Sequence, residues 1–161
     1  MKTVTIAHSY TVITQWNELF PDEQNLIMAA KKACHLAYAP YSQFFVGSAI
    51  LLKDGQTIIT GNNQENAAYP SGLCAERVAY FQAGALGYAK EIAKVAVSVY
   101  TERFEYSVPV SPCGACRQVM AEYERLSQQP TVILLTGIDL LPVYRIVGTE
   151  ILLPLQFRLD F

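Results

Sequence analysis

The stretch "PDEQNLIMAAKKACHLAYAP", residues 21–40, places Leu26, Ala30, Ala33 and Ala37 on one stripe and keeps Lys31 and Lys32 off it. That spacing predicts an amphipathic helix. Pro21 suits its first turn, Asp22 and Glu23 sit where the helix dipole favours anions, and Pro40 stops it. The pattern then changes. In "FFVGSAILLKDGQTIITGNN", residues 44–63, two runs of strand-forming residues flank Asp54-Gly55, which predicts a hairpin. A second helix is expected from Cys74 to about Ala85, ended by Gly84 and Gly87. "AKVAVSVY" (93–100) is nearly continuous apolar sequence, as in a strand covered on both faces. "GACRQVMAEYERLSQ" (114–128) reads as a third helix, "TVILLT" (131–136) as another buried strand, and "PVYRIV" (142–147) as a short one. In residues 1–20, Val4, Ile6, Tyr10 and Val12 keep a rough period of two, so this N-terminal extension is expected to add a strand.

The resulting order is α-β-β-α-β-α-β-β. Helices interleaved with buried strands predict an α/β fold, a three-layer α/β/α sandwich around a mixed sheet of mostly five strands. The hairpin must be antiparallel, and the later crossovers are expected to be parallel.

Composition narrows the function. The 161 residues contain no repeat, low-complexity tract or linker, so a single domain, 1–161, is the simplest organisation. Hydrophobic residues make up 52% and charged residues 16%, which excludes a disordered chain. A net charge of −2 argues against a protein that tracks nucleic acid by charge, and no polybasic patch faces a membrane. No apolar run spans a bilayer and the N-terminus lacks a signal core, so the expectation is a soluble cytoplasmic protein. In that compartment four cysteines read as metal ligands or core residues rather than disulfides. The high apolar fraction hints at self-association.

The chemistry centres on two segments. In "SPCGACRQVM", Cys113 and Cys116 are separated by two residues, a spacing that lets two thiolates share an ion. Alone, this pair fits zinc or a redox dithiol about equally. In "GLCAERVAYF", Cys74 stands two places before Glu76. Residues two apart inside a helix point to nearly opposite sides. They share a site only if Cys74 sits at the irregular helix start, which the preceding "YPSGL" permits. Cys34 lies on or beside the apolar stripe and reads as core; His8 and His35 have no partner at ligand spacing. Three cysteines then leave a fourth coordination position for water, the arrangement of catalytic rather than structural zinc. Such a site needs a proton shuttle, and Glu76 is the carboxylate beside a ligand. Arg77 reads equally as a donor to a ligand sulfur or as an outer-face residue.

"CAE" followed by "PCGAC" resembles the zinc-dependent cytidine deaminases of nucleoside salvage, whose signature includes a non-ligating Glu. "YAPYSQFFVGSAIL", "NNQENAAYPSGLCAERVA", "SPCGACRQVMAE" and "EILLPLQF" extend the resemblance from about residue 25 to 157, in the family's order. Cys rather than His before "AE" is similar to the small homotetrameric branch. The resemblance implies one Zn²⁺ per subunit on Cys74, Cys113 and Cys116, with Glu76 catalytic and Arg77 beside the sulfurs. It implies a ribose grip by Asn63 and Glu65, base packing by Phe44, and base contacts from the N–H of Ala75 and the carbonyl of Ser111. It places Tyr69 at a subunit interface near the sugar and implies that Phe157 is lent to a neighbouring subunit's site. The implied reaction is hydrolytic deamination of cytidine and 2′-deoxycytidine, with a small-molecule nucleoside as partner and no nucleic acid or membrane. The alternatives are a deaminase of another amino-heterocycle, such as a nucleoside antibiotic, and a structural zinc module closed by Cys34. The chain departs from the pattern at Phe45 and Ser48, in residues 1–20, and between Tyr100 and Val110.

Overall fold

The structure is a computed structural model that describes residues 1–103 and 108–159. Part of the divergent segment between Tyr100 and Val110 therefore lies outside the described residues. The elements run β1 (Thr11–Ile13), α1 (Pro21–Cys34), β2 (Phe45–Leu52), β3 (Ile58–Asn62), α2 (Ala75–Ala85), β4 (Ile92–Tyr100), α3 (Gly114–Ser127), β5 (Val132–Leu135) and β6 (Val143–Val147).

One mixed sheet has the order β1-β6-β5-β4-β2-β3. It contains six strands rather than five, because β1 pairs antiparallel with β6. The N-terminal strand is shorter than its alternation predicts: pairing begins at Thr11, while Val4 and Ile6 are exposed. The later crossovers are parallel, as expected. β4 and β5, joined through α3, pair parallel. The connection through α2 joins β3 to β4, which run the same way on either side of β2, a strand antiparallel to both. The Asp54-Gly55 turn forms as predicted, with Gly55 at φ +73° and the Asp54 carboxylate accepting from the N–H of Gln56 and Thr57.

Side-chain alternation along the strands builds two cores. Ile50, Leu52, Val95 and Val97 face one layer with Ala79, Tyr80 and Met120. Ala49, Leu51 and Ala96 face the other, against Leu26, Ile27 and Ala30. Helix α1 thus covers one face, and α2 and α3 cover the opposite one. Helix α1 ends at Cys34, six residues before Pro40, and Ala37 falls in the following turn rather than on the stripe.

Two glycines set the distance between layers. A Cβ at Gly47 would lie 2.0 Å from the carbonyl oxygen of Ala30 in α1. A Cβ at Gly61 would lie 2.4 Å from the nitrogen of Ala79 and 2.6 Å from the oxygen of Ala75 in α2. Each helix packs directly on the strand backbone, and Gly61 does so beside the first turn of α2. Among the described residues no helix is long and apolar enough to cross a membrane.

Candidate active site

Cys74 and Cys113 occupy equivalent places: each is the N-cap of a helix, with extended backbone at φ −72°, ψ 154° and φ −67°, ψ 166°. This geometry resolves the spacing problem of Cys74 and Glu76. Cys74 is outside the helical screw, so its side chain and that of Glu76 in the first turn face a common space. Two bonds hold the approach to α2, with Gln64 and Leu73 exchanging N–H···O contacts of 2.9 Å. The approach to α3 is pinned by Arg117, whose Nε donates to the carbonyl of Pro112 at 2.8 Å and whose Nη1 donates to Leu152 at 3.0 Å. Sequence reasoning did not single out Arg117, since a surface arginine and a loop clamp look alike in one chain.

The sulfurs of Cys74, Cys113 and Cys116 lie within 4.8 Å of one another. Cys74 Sγ is 3.7 Å from Cys113 Sγ, and Cys113 Sγ is 3.4 Å from Cys116 Sγ. Four sulfurs around a tetrahedral zinc with bonds of about 2.3 Å would be roughly 3.8 Å apart. The separations suit that ion and are far too long for disulfides. Three soft donors at two helix N-termini match zinc in kind as well as in spacing.

Charge is arranged to match. The hydrogen bond from Cys116, reinforced by Arg77 and Cys113, draws the Cys74 thiol down to about 5 against the cost of burial. Cys116, hydrogen-bonded to Cys74 and buried beside Glu76, holds its proton more tightly than a free thiol. Arg77 Nη2 lies 3.8 Å from Cys74 Sγ and 3.5 Å from the carbonyl of Gly72, so the arginine faces the sulfurs rather than solvent. Glu76 is 5% exposed, and burial pushes its carboxyl above the usual range. A carboxyl raised in this way binds a proton more readily than a free one, as a proton shuttle requires.

Cys74, Cys113, Glu76 and Arg77 line part of a cavity of about 570 Å³. Phe44, Val46, Leu73 and Val110 supply apolar walls, and Ala75 and Ser111 border the cluster. Asn63, Glu65, Ser42 and Tyr69 line the rest. Asn63 is less free than its sequence suggests. Its Oδ1 accepts from the N–H of Val46 at 2.8 Å and its Nδ2 donates to the carbonyl of Phe44 at 2.9 Å. Glu65 accepts from the N–H of Tyr41 and Ser42 and from the Ser42 hydroxyl. Partial burial works to raise its pKa, but these bonds, the hydroxyl first, outweigh it and carry the carboxyl below its ordinary value. Tyr69 is 75% exposed and meets Tyr41 edge-on at 6.1 Å. Phe157 does not line its own chain's cavity: the side chain is 70% exposed, and its carbonyl accepts from Gln118. Cys34 stays apart, buried in α1 with its Sγ 3.4 Å from the carbonyl of Ser98.

A mixed sheet that brings three thiols and a buried carboxyl to two helix N-termini defines a metal-site protein of the α/β deaminase type. The family model described as the cytidine and deoxycytidylate deaminase zinc-binding region matches residues 21–130, and the chain belongs to that family. A cytidine deaminase of Halalkalibacterium halodurans is 50% identical over 101 residues, 63% of this chain and 71% of that one. One from Sporosarcina psychrophila is 50% identical over 102 residues, 63% and 70% of the two chains. The crystal structure of cytidine deaminase from Burkholderia pseudomallei superposes with a TM-score of 0.70 at 43% identity, covering 83% of this chain and 97% of that one.

Proposed function

We propose that this protein deaminates cytidine and 2′-deoxycytidine by hydrolysis, giving uridine or 2′-deoxyuridine and ammonia in pyrimidine salvage. The observation that carries the reading is Glu76, buried and lining the cavity beside three convergent thiols. Cys74, Cys113 and Cys116 would hold one Zn²⁺ per subunit. When bound, zinc supplies a water acidic enough to act as a nucleophile near neutral pH. The protein's own groups do the rest. Glu76 takes a proton from the attacking water and delivers it to N3 as oxygen adds to C4. Glu76 then moves the second proton to the departing amine, so water ends as the new carbonyl oxygen plus the hydrogens of ammonia and N3. Arg77 offsets the charge of three thiolates.

The apolar wall at Phe44 suits the flat pyrimidine, and the N–H of Ala75 and the carbonyl of Ser111 suit its polar edge. Glu65, with help from Asn63, suits a sugar hydroxyl. Exposed Tyr69 and Phe157 suit a homotetramer whose sites lie at subunit interfaces, Phe157 completing a neighbour's cavity. We place this single-domain enzyme in the cytoplasm. The structural zinc module is disfavoured by Cys34, which packs under α1, away from the cluster. Loss of cytidine absorbance on incubation with zinc-loaded protein tests the proposal. Turnover that Glu76→Gln abolishes supports it; zinc-loaded protein that leaves cytidine unchanged rejects it.

A further inference from the structure

We propose that Ser42 is a positioning residue for sugar recognition: its hydroxyl orients the Glu65 carboxylate and so sets the preference for a nucleoside bearing a 3′-hydroxyl. The inference rests on the cytidine deaminase reading above. Ser42 Oγ donates to Glu65 Oε1 and accepts from the N–H of Phe44 at 3.1 Å. A hydroxyl has one proton and the Phe44 N–H can only donate, so the direction of both bonds is fixed. The other carboxylate oxygen, Oε2, is filled by the N–H of Tyr41 at 3.0 Å and of Ser42 at 3.2 Å.

The two oxygens therefore have different tasks. Oε2 ties Glu65 to the loop backbone. Among the described residues Oε1 holds a single bond, from Ser42, and it retains acceptor capacity in a cavity that both side chains line. Asn63 has less to give, because its amide already bridges Phe44 and Val46. Removing the Ser42 hydroxyl leaves both backbone bonds to Oε2 in place, so the loop should keep its path. What is lost is the restraint on Oε1, the atom left to meet the sugar, together with the acceptor of the Phe44 N–H, a loss that acts on both substrates alike.

The test is steady-state kinetics of wild type, Ser42→Ala and Ser42→Thr on cytidine and on 3′-deoxycytidine. In Ser42→Ala, kcat/KM for cytidine should fall about tenfold, mostly through KM, as expected for a lost bond to a charged group. The value for 3′-deoxycytidine should change by less than about threefold, since that substrate has no hydroxyl for Oε1 to meet. Ser42→Thr, which keeps the donor, should restore most of the loss. Equal losses on both substrates would assign Ser42 to loop scaffolding and overturn the inference, as would no loss on cytidine or a threonine variant no better than alanine. Wild-type protein inactive on both nucleosides would instead overturn the deaminase reading and this inference with it.

Discussion

Cys34 and Cys74 carry the same thiol on opposite faces of one sheet, and their surroundings drive them in opposite directions. Cys34 sits in the last turn of α1, where its Sγ meets the carbonyls of Ala30 at 3.6 Å and Ser98 at 3.4 Å. Burial pushes that thiol up to about 11. Cys74 caps α2, and the Cys116 thiol, Arg77 and Cys113 draw it down to about 5. A helix interior offers sulfur carbonyl oxygens, which favour a proton on it. A helix N-terminus offers free N–H groups and the positive end of a dipole, which favour a thiolate. Two buried glutamates repeat the contrast. Glu23 on the α1 face is clasped by Lys94 at 3.2 Å and Arg145 at 3.1 Å, with the Phe20 ring over both cations. Glu76 on the α2 face has no ion pair of that kind among the described residues. Position in the fold, more than residue type, separates structural groups from chemical ones.

The cysteines give the largest expected difference. Cys74→Ser, Cys113→Ser and Cys116→Ser should each lose stoichiometric zinc and all measurable turnover. Cys34→Ser should retain one zinc per chain by elemental analysis. After chelation, iodoacetamide should label Cys74 and Cys113 and spare Cys34. A Cys34→Ser protein without zinc would erase the contrast and revive a closed four-cysteine site.

The glutamates come next. Glu76→Gln should reduce kcat by about 10²–10⁴-fold while leaving thermal stability unchanged or raised, since a neutral amide replaces a desolvated carboxyl. Glu23→Gln should do the reverse. Removing the buried charge takes the carboxylate from Arg145 and leaves Lys94 only Asp22, at a cost of about 3 kcal/mol, readable in urea unfolding, with kcat changed by less than about threefold. If folded Glu23→Gln protein lost turnover as completely as Glu76→Gln, the division between faces would fail.

The glycines sharpen the comparison with a smaller effect. Alanine at Gly47 or Gly61 drives a Cβ into helix backbone, at 2.0 Å and 2.4 Å respectively, and overpacking of this kind costs roughly 1–3 kcal/mol. Gly47→Ala displaces α1 and should lower Tm while the folded fraction still turns over. Gly61→Ala displaces the start of α2, where Cys74 and Glu76 sit, and should lower kcat and zinc retention by more than its Tm predicts.

Much of the fold is legible because periodicity and punctuation report it directly. The stripe of Leu26, Ala30 and Ala33, the Asp54-Gly55 turn and the apolar run of β4 each carry a local signal. The start of α2 is legible for a stereochemical reason: Cys74 and Glu76 can face one space only if the helix begins between them. Strand order is not local. Nothing in "AKVAVSVY" says that β2 will lie beside it in antiparallel register, or that Thr11–Ile13 will close the far edge on β6. Asn63 shows the same limit at the site. A polar turn and a sugar-binding amide look identical in sequence, and its bonds to Phe44 and Val46 cross a distance along the chain that no motif records. Ser42 drew no attention because its partner, Glu65, comes from the other side of the hairpin.

Ser48 marks the smallest effect and the closest test of where the chemical face begins. It is one of the positions at which the chain departs from the pattern it resembles. The residue is fully buried, and its Oγ has no hydrogen-bond partner among the described residues. By strand alternation it faces the α2 layer with Val46 and Ile50, and it pairs in register with Gly61. A desolvated hydroxyl without a partner is a net cost to the folded state, so Ser48→Ala should raise stability by up to about 1 kcal/mol. If kcat is unchanged, the layer under α2 is ordinary apolar core up to Gly61, and the chemistry begins at the helix N-terminus. If Tm rises but kcat falls, the hydroxyl serves Glu76 rather than the fold, and the chemical region reaches one strand deeper into the sheet.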